Sequence, residues 1–128
     1  MHVTVTPIFA AVMALMFLIL SINTVRMRWK TRVSVGDGGN KEMQRAIRAH
    51  GNFIEYVPIT LLLMLFLEMR TVSIYVIIAL GAALLVGRCC HAIALLGSLK
   101  YFKFRVVGMT LTFVTLFISS VWLLITYI

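Results

Sequence analysis

The stretch VTVTPIFAAVMALMFLILSINTV (Val3–Val25) runs through 23 consecutive positions without one charged residue. A helix needs about 20 mostly apolar residues to cross the hydrocarbon core of a bilayer, so this run is long enough to span. It stops abruptly at Arg26, Arg28, Lys30 and Arg32. The composition extends the reading to the whole chain. Of 128 residues, 62% are hydrophobic and 12% charged, and the mean hydropathy is +1.03. Soluble domains carry about 25% charged residues. A chain this apolar cannot cover itself with a water-compatible surface, which excludes a soluble domain as well as disorder.

Three further spans follow. The apolar core Phe53–Leu67 holds Glu55 and Pro58 and is short alone, so its helix is expected to start near Lys41 and emerge into the polar phase. Val72–Leu96 is the third run, interrupted late by Arg88 and His91, and Val106–Tyr127 is the last. The expected fold is all-α, a single domain over residues 1–128 with helices at about 3–25, 41–68, 72–96 and 105–127. Gly36-Asp37-Gly38-Gly39-Asn40 reads as the turn that reverses the chain after the first helix. It is no dinucleotide fingerprint, since no strand precedes it. The N-terminal run is expected to stay as the first helix, because its basic residues follow it, the reverse of a cleavable signal.

Twelve basic against four acidic residues give a net charge of +8. In a soluble protein that excess would suggest nucleic acid. Here the cations flank apolar runs and read as a topology signal, so no nucleic-acid partner is expected. Eleven of them fall on one side (Arg26, Arg28, Lys30, Arg32, Lys41, Arg45, Arg48, Arg88, Lys100, Lys103 and Arg105) and Arg70 alone on the other. The positive-inside rule then places loops 26–48 and 97–105 in the cytoplasm and both termini outside. Trp29 reads as an interface anchor, with Trp122 and Tyr127 at the far side. Small residues recur at helical spacing, Ala79, Ala83 and Gly87 in the third span and Gly108, Thr112, Thr115 and Ser119 in the fourth. Such stripes let helices approach closely in lipid, within a chain or between subunits.

The segment that carries chemistry is Arg48-Ala-His50-Gly51-Asn52-Phe-Ile-Glu55-Tyr56-Val-Pro58. At about 100° per residue, Arg48, Asn52 and Glu55 share a sector of roughly 60°, with Tyr56 on its margin. Charges inside a membrane helix are expensive and usually face a bundle interior or a water-filled cavity. Glu55 reads as the deepest ionisable group. Arg48 lies two turns away, about 10.5 Å along the axis, so an ion-pair partner for Glu55 is expected from another helix or subunit. The alternative is a ligand. Arg forks clamp carboxylates, a buried carboxylate suits an ammonium, and Asn bridges amides. A zwitterionic peptide such as glutathione fits that set, though the residue types alone do not single it out.

Arg48-Ala-x-x-Asn52-x-x-Glu55-Tyr56-x-Pro58 resembles the second-helix motif of the MAPEG superfamily, membrane-associated proteins in eicosanoid and glutathione metabolism. Small bacterial inner-membrane members share runs similar to Arg32-Val-x-x-Gly36-Asp37-Gly38-Gly39, Ala46-Ile-Arg48-x-His50-Gly51-Asn52 and Gly87-Arg88-x-x-His91. The resemblance covers essentially the full chain. It implies a homotrimer of four-helix bundles in the bacterial inner membrane, with glutathione as co-substrate bound between subunits near the cytoplasmic face. By position, Arg28, Arg48, His50, Asn52, Glu55 and Tyr56 match glutathione-contacting residues of the family. Arg105 is the match for its catalytic arginine. The helix-three tyrosines that line the site in the eukaryotic synthases are His91 and Leu95 here. The implied activity is a glutathione S-transferase or peroxidase that joins the thiolate to a lipophilic electrophile arriving through the bilayer.

Two other classes compete. A small four-helix multidrug or cation exporter has a similar size and an intramembrane Glu, but carries that acid in its first helix, which has none here. A non-catalytic membrane scaffold of the same fold is the other. Cys89-Cys90-His91 makes a poor metal site, because adjacent helical cysteines point about 100° apart, so no metal is expected and the cysteines read as apolar filler.

Overall fold

The computed structural model describes residues 3–97 and 101–128; the reading of Lys100 as a loop cation lies outside them. The chain forms four helices, α1 (Val5–Thr31), α2 (Lys41–Met69), α3 (Ile74–Leu96) and α4 (Phe102–Tyr127). All four are long and apolar enough to cross a membrane.

Two boundaries differ from the sequence expectation. The first helix continues for six residues past its apolar run, to Thr31. Arg28 and Lys30 then occupy its last turn, where the helix dipole favours cations, and Arg32 ends it in the left-handed conformation at φ 55°. The fourth begins at Phe102, so Lys103 and Arg105 stand on the first turns of a helix rather than in a loop. There the dipole is positive, and their charge adds to it.

Two connections are built from side chains that cap helix ends. After α1, Gly36, Gly38 and Gly39 all take positive φ, which forms the expected turn. A side chain at Gly38 would strike Val33, with a Cβ 2.6 Å from its Cγ2. The Asn40 side chain then accepts from the N–H groups of Glu42 and Met43 at 2.9 and 3.0 Å, starting α2 with an N-cap. Lys30 and Glu42 pair across the turn at 2.7 Å.

At the opposite end, Glu68 caps a different helix from its own. Its Oε1 accepts from the N–H groups of Thr4 and Val5 at 2.7 and 2.8 Å, and its Oε2 from Thr6 at 2.7 Å. The next residue, Pro7, has no N–H, so one carboxylate satisfies the donors that open α1. Next to it, Arg70 donates to the Thr126 carbonyl at 3.2 Å and lies 4.5 Å over the Tyr127 ring. The α2–α3 turn thereby ties down both the start of α1 and the end of α4.

Helices α2 and α3 form the centre. α1 packs on both from one side and α4 on both from the other, and α1 and α4 do not meet among the described residues. Met13, Phe53, Val57, Met64, Leu67, Ile77 and Leu84 fill the interior. The Phe9 ring occupies the space that a side chain at Gly81 would need. The closest approach is between α3 and α4: a Cβ on Gly108 would lie 2.6 Å from the Gly87 carbonyl oxygen and 2.7 Å from the His91 nitrogen. Thr112, Thr115 and Ser119 continue that stripe and are buried, so the small-residue face of α4 packs within the chain. On α3, Gly87 is buried but Ala79 is exposed. The outward faces of α1 and α4, with Leu15, Ile19, Phe117 and Ile125, suit a hydrocarbon solvent.

Candidate functional site

Residues 48, 52, 55 and 56 recur at the spacing that keeps one side of α2 turned the same way. That side looks toward the end of α3 and the start of α4. A cavity of about 200 Å³ lies there, lined by Arg48, Asn52 and Tyr56 from α2, His91 and Leu95 from α3, and Arg105 and Met109 from α4. It adjoins a wider vestibule of about 630 Å³ at the basic end of the molecule, which shares Arg48, Leu95 and Arg105 and adds Gly36, Asp37, Gln44 and Arg45. Four of the seven site residues expected from sequence therefore face one space. Arg105 reaches it from the first turns of α4, and Tyr56 is held from the side by an edge-on contact with Phe113 at 5.2 Å.

Glu55 joins through Arg48. Its Oε1 lies 3.7 Å from Arg48 Nη1, and the two side chains are 45% and 57% exposed. The expectation that its partner must come from another helix or subunit is corrected by this contact. Two long side chains seven residues apart on one face lean toward each other and close the axial gap. A contact this long between half-exposed groups is weak, and neither is consumed by it.

Arg28 and His50 lie elsewhere. Arg28 Nη1 donates to the carbonyls of Val33, Ser34 and Gly36 at 3.4, 3.1 and 3.1 Å, holding the turn after α1. His50 stacks on Phe17 of α1 with ring centroids 4.9 Å apart. It stands about 200° around the helix from Arg48, on the opposite side of α2 from the cavity.

The loop at the vestibule rim is also ordered by hydrogen bonds. The Asp37 carboxylate accepts from the Gly39 N–H and from Gln44 Nε2, both at 2.9 Å. These bonds hold its pKa below the usual 3.8, the Gly39 N–H contributing most.

Arg88 changes the sequence reading most. The charge count sets it with the cations of the cytoplasmic side, and the sequence makes Glu55 the deepest ionisable group. Instead Arg88 is 1% exposed, deep between α2, α3 and α4. Its Nη2 donates to Asn52 Oδ1 at 2.7 Å and lies 3.3 Å from His91 Nδ1, while Nη1 reaches Thr112 Oγ1 at 3.4 Å. The guanidinium also sits 5.6 Å from the Phe53 ring centroid. Removing Arg88 from the charge tally leaves ten basic residues against one, so the asymmetry survives. The missed signal was its spacing: Arg88 and His91 are three apart, on one helical face of an otherwise apolar span. Of the cysteines beside it, Cys89 is exposed and Cys90 half-buried.

Residues 6–125 match the MAPEG family. The chain belongs to the MAPEG family. This MAPEG chain is also similar to inner membrane protein YecN of Escherichia coli strain K12, at 37% identity over 121 residues, covering 92% of this chain and 91% of the relative. YecN of Escherichia coli O6:H1 matches to the same extent. No solved structure matches this chain. The family assignment agrees with the resemblance read from the α2 motif.

Proposed function

We propose that this MAPEG chain is a bacterial inner-membrane protein that binds glutathione in the cavity between α2, α3 and α4 and transfers its thiolate to lipophilic electrophiles. The observation that carries the proposal is the convergence of Arg48, Asn52, Tyr56 and Arg105 on one cavity, with Glu55 beside Arg48 at 3.7 Å. The Arg48 guanidinium suits a carboxylate of the tripeptide, the Glu55 carboxylate suits its ammonium, and the Asn52 amide suits its peptide links. The similarity to YecN supports the inner membrane as location. The excess of basic residues at the vestibule end supports a cytoplasmic loop side, with both termini outside.

In this reading Arg105 is the catalytic residue. Standing where its charge adds to the positive end of α4, it stabilises the glutathione thiolate over the thiol. The sulfur then attacks an electrophilic carbon: an S–C bond forms, and either a leaving group departs with the bonding pair or an activated double bond takes up the pair and then a proton. With a lipid hydroperoxide, the sulfur takes the terminal oxygen and an alcohol leaves. A second glutathione then yields the disulfide and water. Arg48, Asn52, Glu55 and Tyr56 hold the peptide and supply proximity.

A homotrimer, with the site closed by a neighbouring subunit, belongs to the same proposal. Arg48 and Glu55 are half-exposed on a spanning helix, and such groups in lipid call for cover. The test is the Arg105→Ala variant, assayed with glutathione and an aryl halide in detergent. Turnover is expected to fall by at least about 10²-fold, the scale for one lost charge-stabilising group, with glutathione affinity retained. Loss of binding and turnover together would contradict the division of labour.

A further inference from the structure

Arg88 does not line the cavity, yet two residues that do, Asn52 and His91, both bond to its Nη2. A guanidinium has donors only, so whatever it touches must accept. At Asn52 this settles which way the amide faces: Oδ1 is spent on Arg88 at 2.7 Å, and what remains is the N–H₂ group. At His91 it settles the tautomer. Nδ1, 3.3 Å from Nη2, must be the lone-pair nitrogen, and the proton resides on Nε2. Thr112 fits the same logic, since its hydroxyl donates to the Gly108 carbonyl at 2.8 Å and so accepts from Arg88 Nη1.

We propose that Arg88 is the positioning residue of this site, fixing Asn52 and His91 so that both offer N–H to the cavity. With the guanidinium groups of Arg48 and Arg105 also lining it, the cavity is rich in donors. It takes an anionic group, a carboxylate or thiolate, and excludes an ammonium. For the identity of the molecule bearing that anion the inference rests on the glutathione reading; for the donor polarity of the cavity it does not. Arg88 has no acidic contact among the described residues and its Nε has no partner there. A buried charge without a counter-ion is expensive, and its retention is accounted for if a bound anion completes the network.

The experiment is ¹⁵N NMR of the protein labelled at histidine nitrogen, in detergent at neutral pH, with the His91 signal assigned by its loss in His91→Gln. The wild type is expected to show His91 as the Nε2–H tautomer alone. Arg88→Met, similar in length and unable to donate, is expected to lose that preference, and Arg88→Lys, still a donor, to keep it. Glutathione affinity is expected to fall roughly tenfold or more in Arg88→Met, the scale for one lost charge-assisted bond, and to recover in part in Arg88→Lys. A wild-type His91 with its proton on Nδ1 overturns the proposal without any variant, and so does an unchanged tautomer in a folded Arg88→Met protein. A wild type that keeps the Nε2–H tautomer but ignores glutathione supports the positioning role and removes the glutathione reading instead.

Discussion

Replacing Glu68 by Gln tests whether one carboxylate at the end of α2 secures the start of α1. Three backbone N–H groups donate to it at 2.7, 2.8 and 2.7 Å, two to Oε1 and one to Oε2. Glutamine keeps one acceptor oxygen, enough for Thr4 and Val5. At the other position it sets an N–H₂ group against the Thr6 N–H, so that bond is lost and its donor is left facing another. A hydrogen bond to a charged group contributes about 1.5–3 kcal/mol, and the lost charge at a helix N-terminus adds about 0.3–1 kcal/mol. The expected destabilisation is therefore about 2–4 kcal/mol, measured by reversible unfolding in mixed micelles. Amide exchange supplies the local readout: Thr4, Val5 and Thr6 are expected to lose protection in Glu68→Gln, while the middle of α3 keeps its own. A variant within about 0.5 kcal/mol of wild type, the range of ordinary surface changes, with Thr6 still protected, would refute the capping role.

Two other perturbations follow from the geometry. Gly108→Ala is expected to destabilise by about 1–3 kcal/mol, the usual range for overpacking, and by more than Gly87→Ala. The added methyl at 108 meets backbone atoms at 2.6 and 2.7 Å, whereas at 87 the nearest contacts are 3.0 Å; equal effects in thermal unfolding would contradict this. Asp37 titrates lower in the fold than its usual 3.8, so its stabilising contribution is fully present above that value and lost as pH falls through the lower folded value. Protection of the Gly39 amide is expected to collapse at acid pH in the wild type and to be already low and independent of pH in Asp37→Ala, which has no acceptor for it.

The helices were legible because lipid imposes a simple requirement, a long uncharged run, and Val3–Val25 meets it without ambiguity. The ends were less legible. Helix α1 runs on to Thr31 because a basic last turn favours the helix, which hydropathy does not register. Arg48, Asn52 and Tyr56, which line the cavity, were grouped both by angular position on α2 and by the family motif. Where the two disagreed, the angle was the better guide to placement: His50 matched by motif but stands about 200° from Arg48, and it packs on Phe17. Arg88 was misassigned because counting charges near span ends carries no depth. Only the packing of three helices shows that its partners are Asn52, His91 and Thr112. The Glu68 cap joins residues more than 60 apart in sequence, and no local pattern announces it.

The measurement closest to the proposed function is calorimetric titration of glutathione into the purified protein in detergent, beside Arg48→Ala and Glu55→Ala. Saturable binding in the wild type, lost in both variants while their helical spectra stay unchanged, is the expected result. Folded wild-type protein that shows no binding up to millimolar glutathione would contradict the glutathione site and leave the four-helix MAPEG fold standing without it.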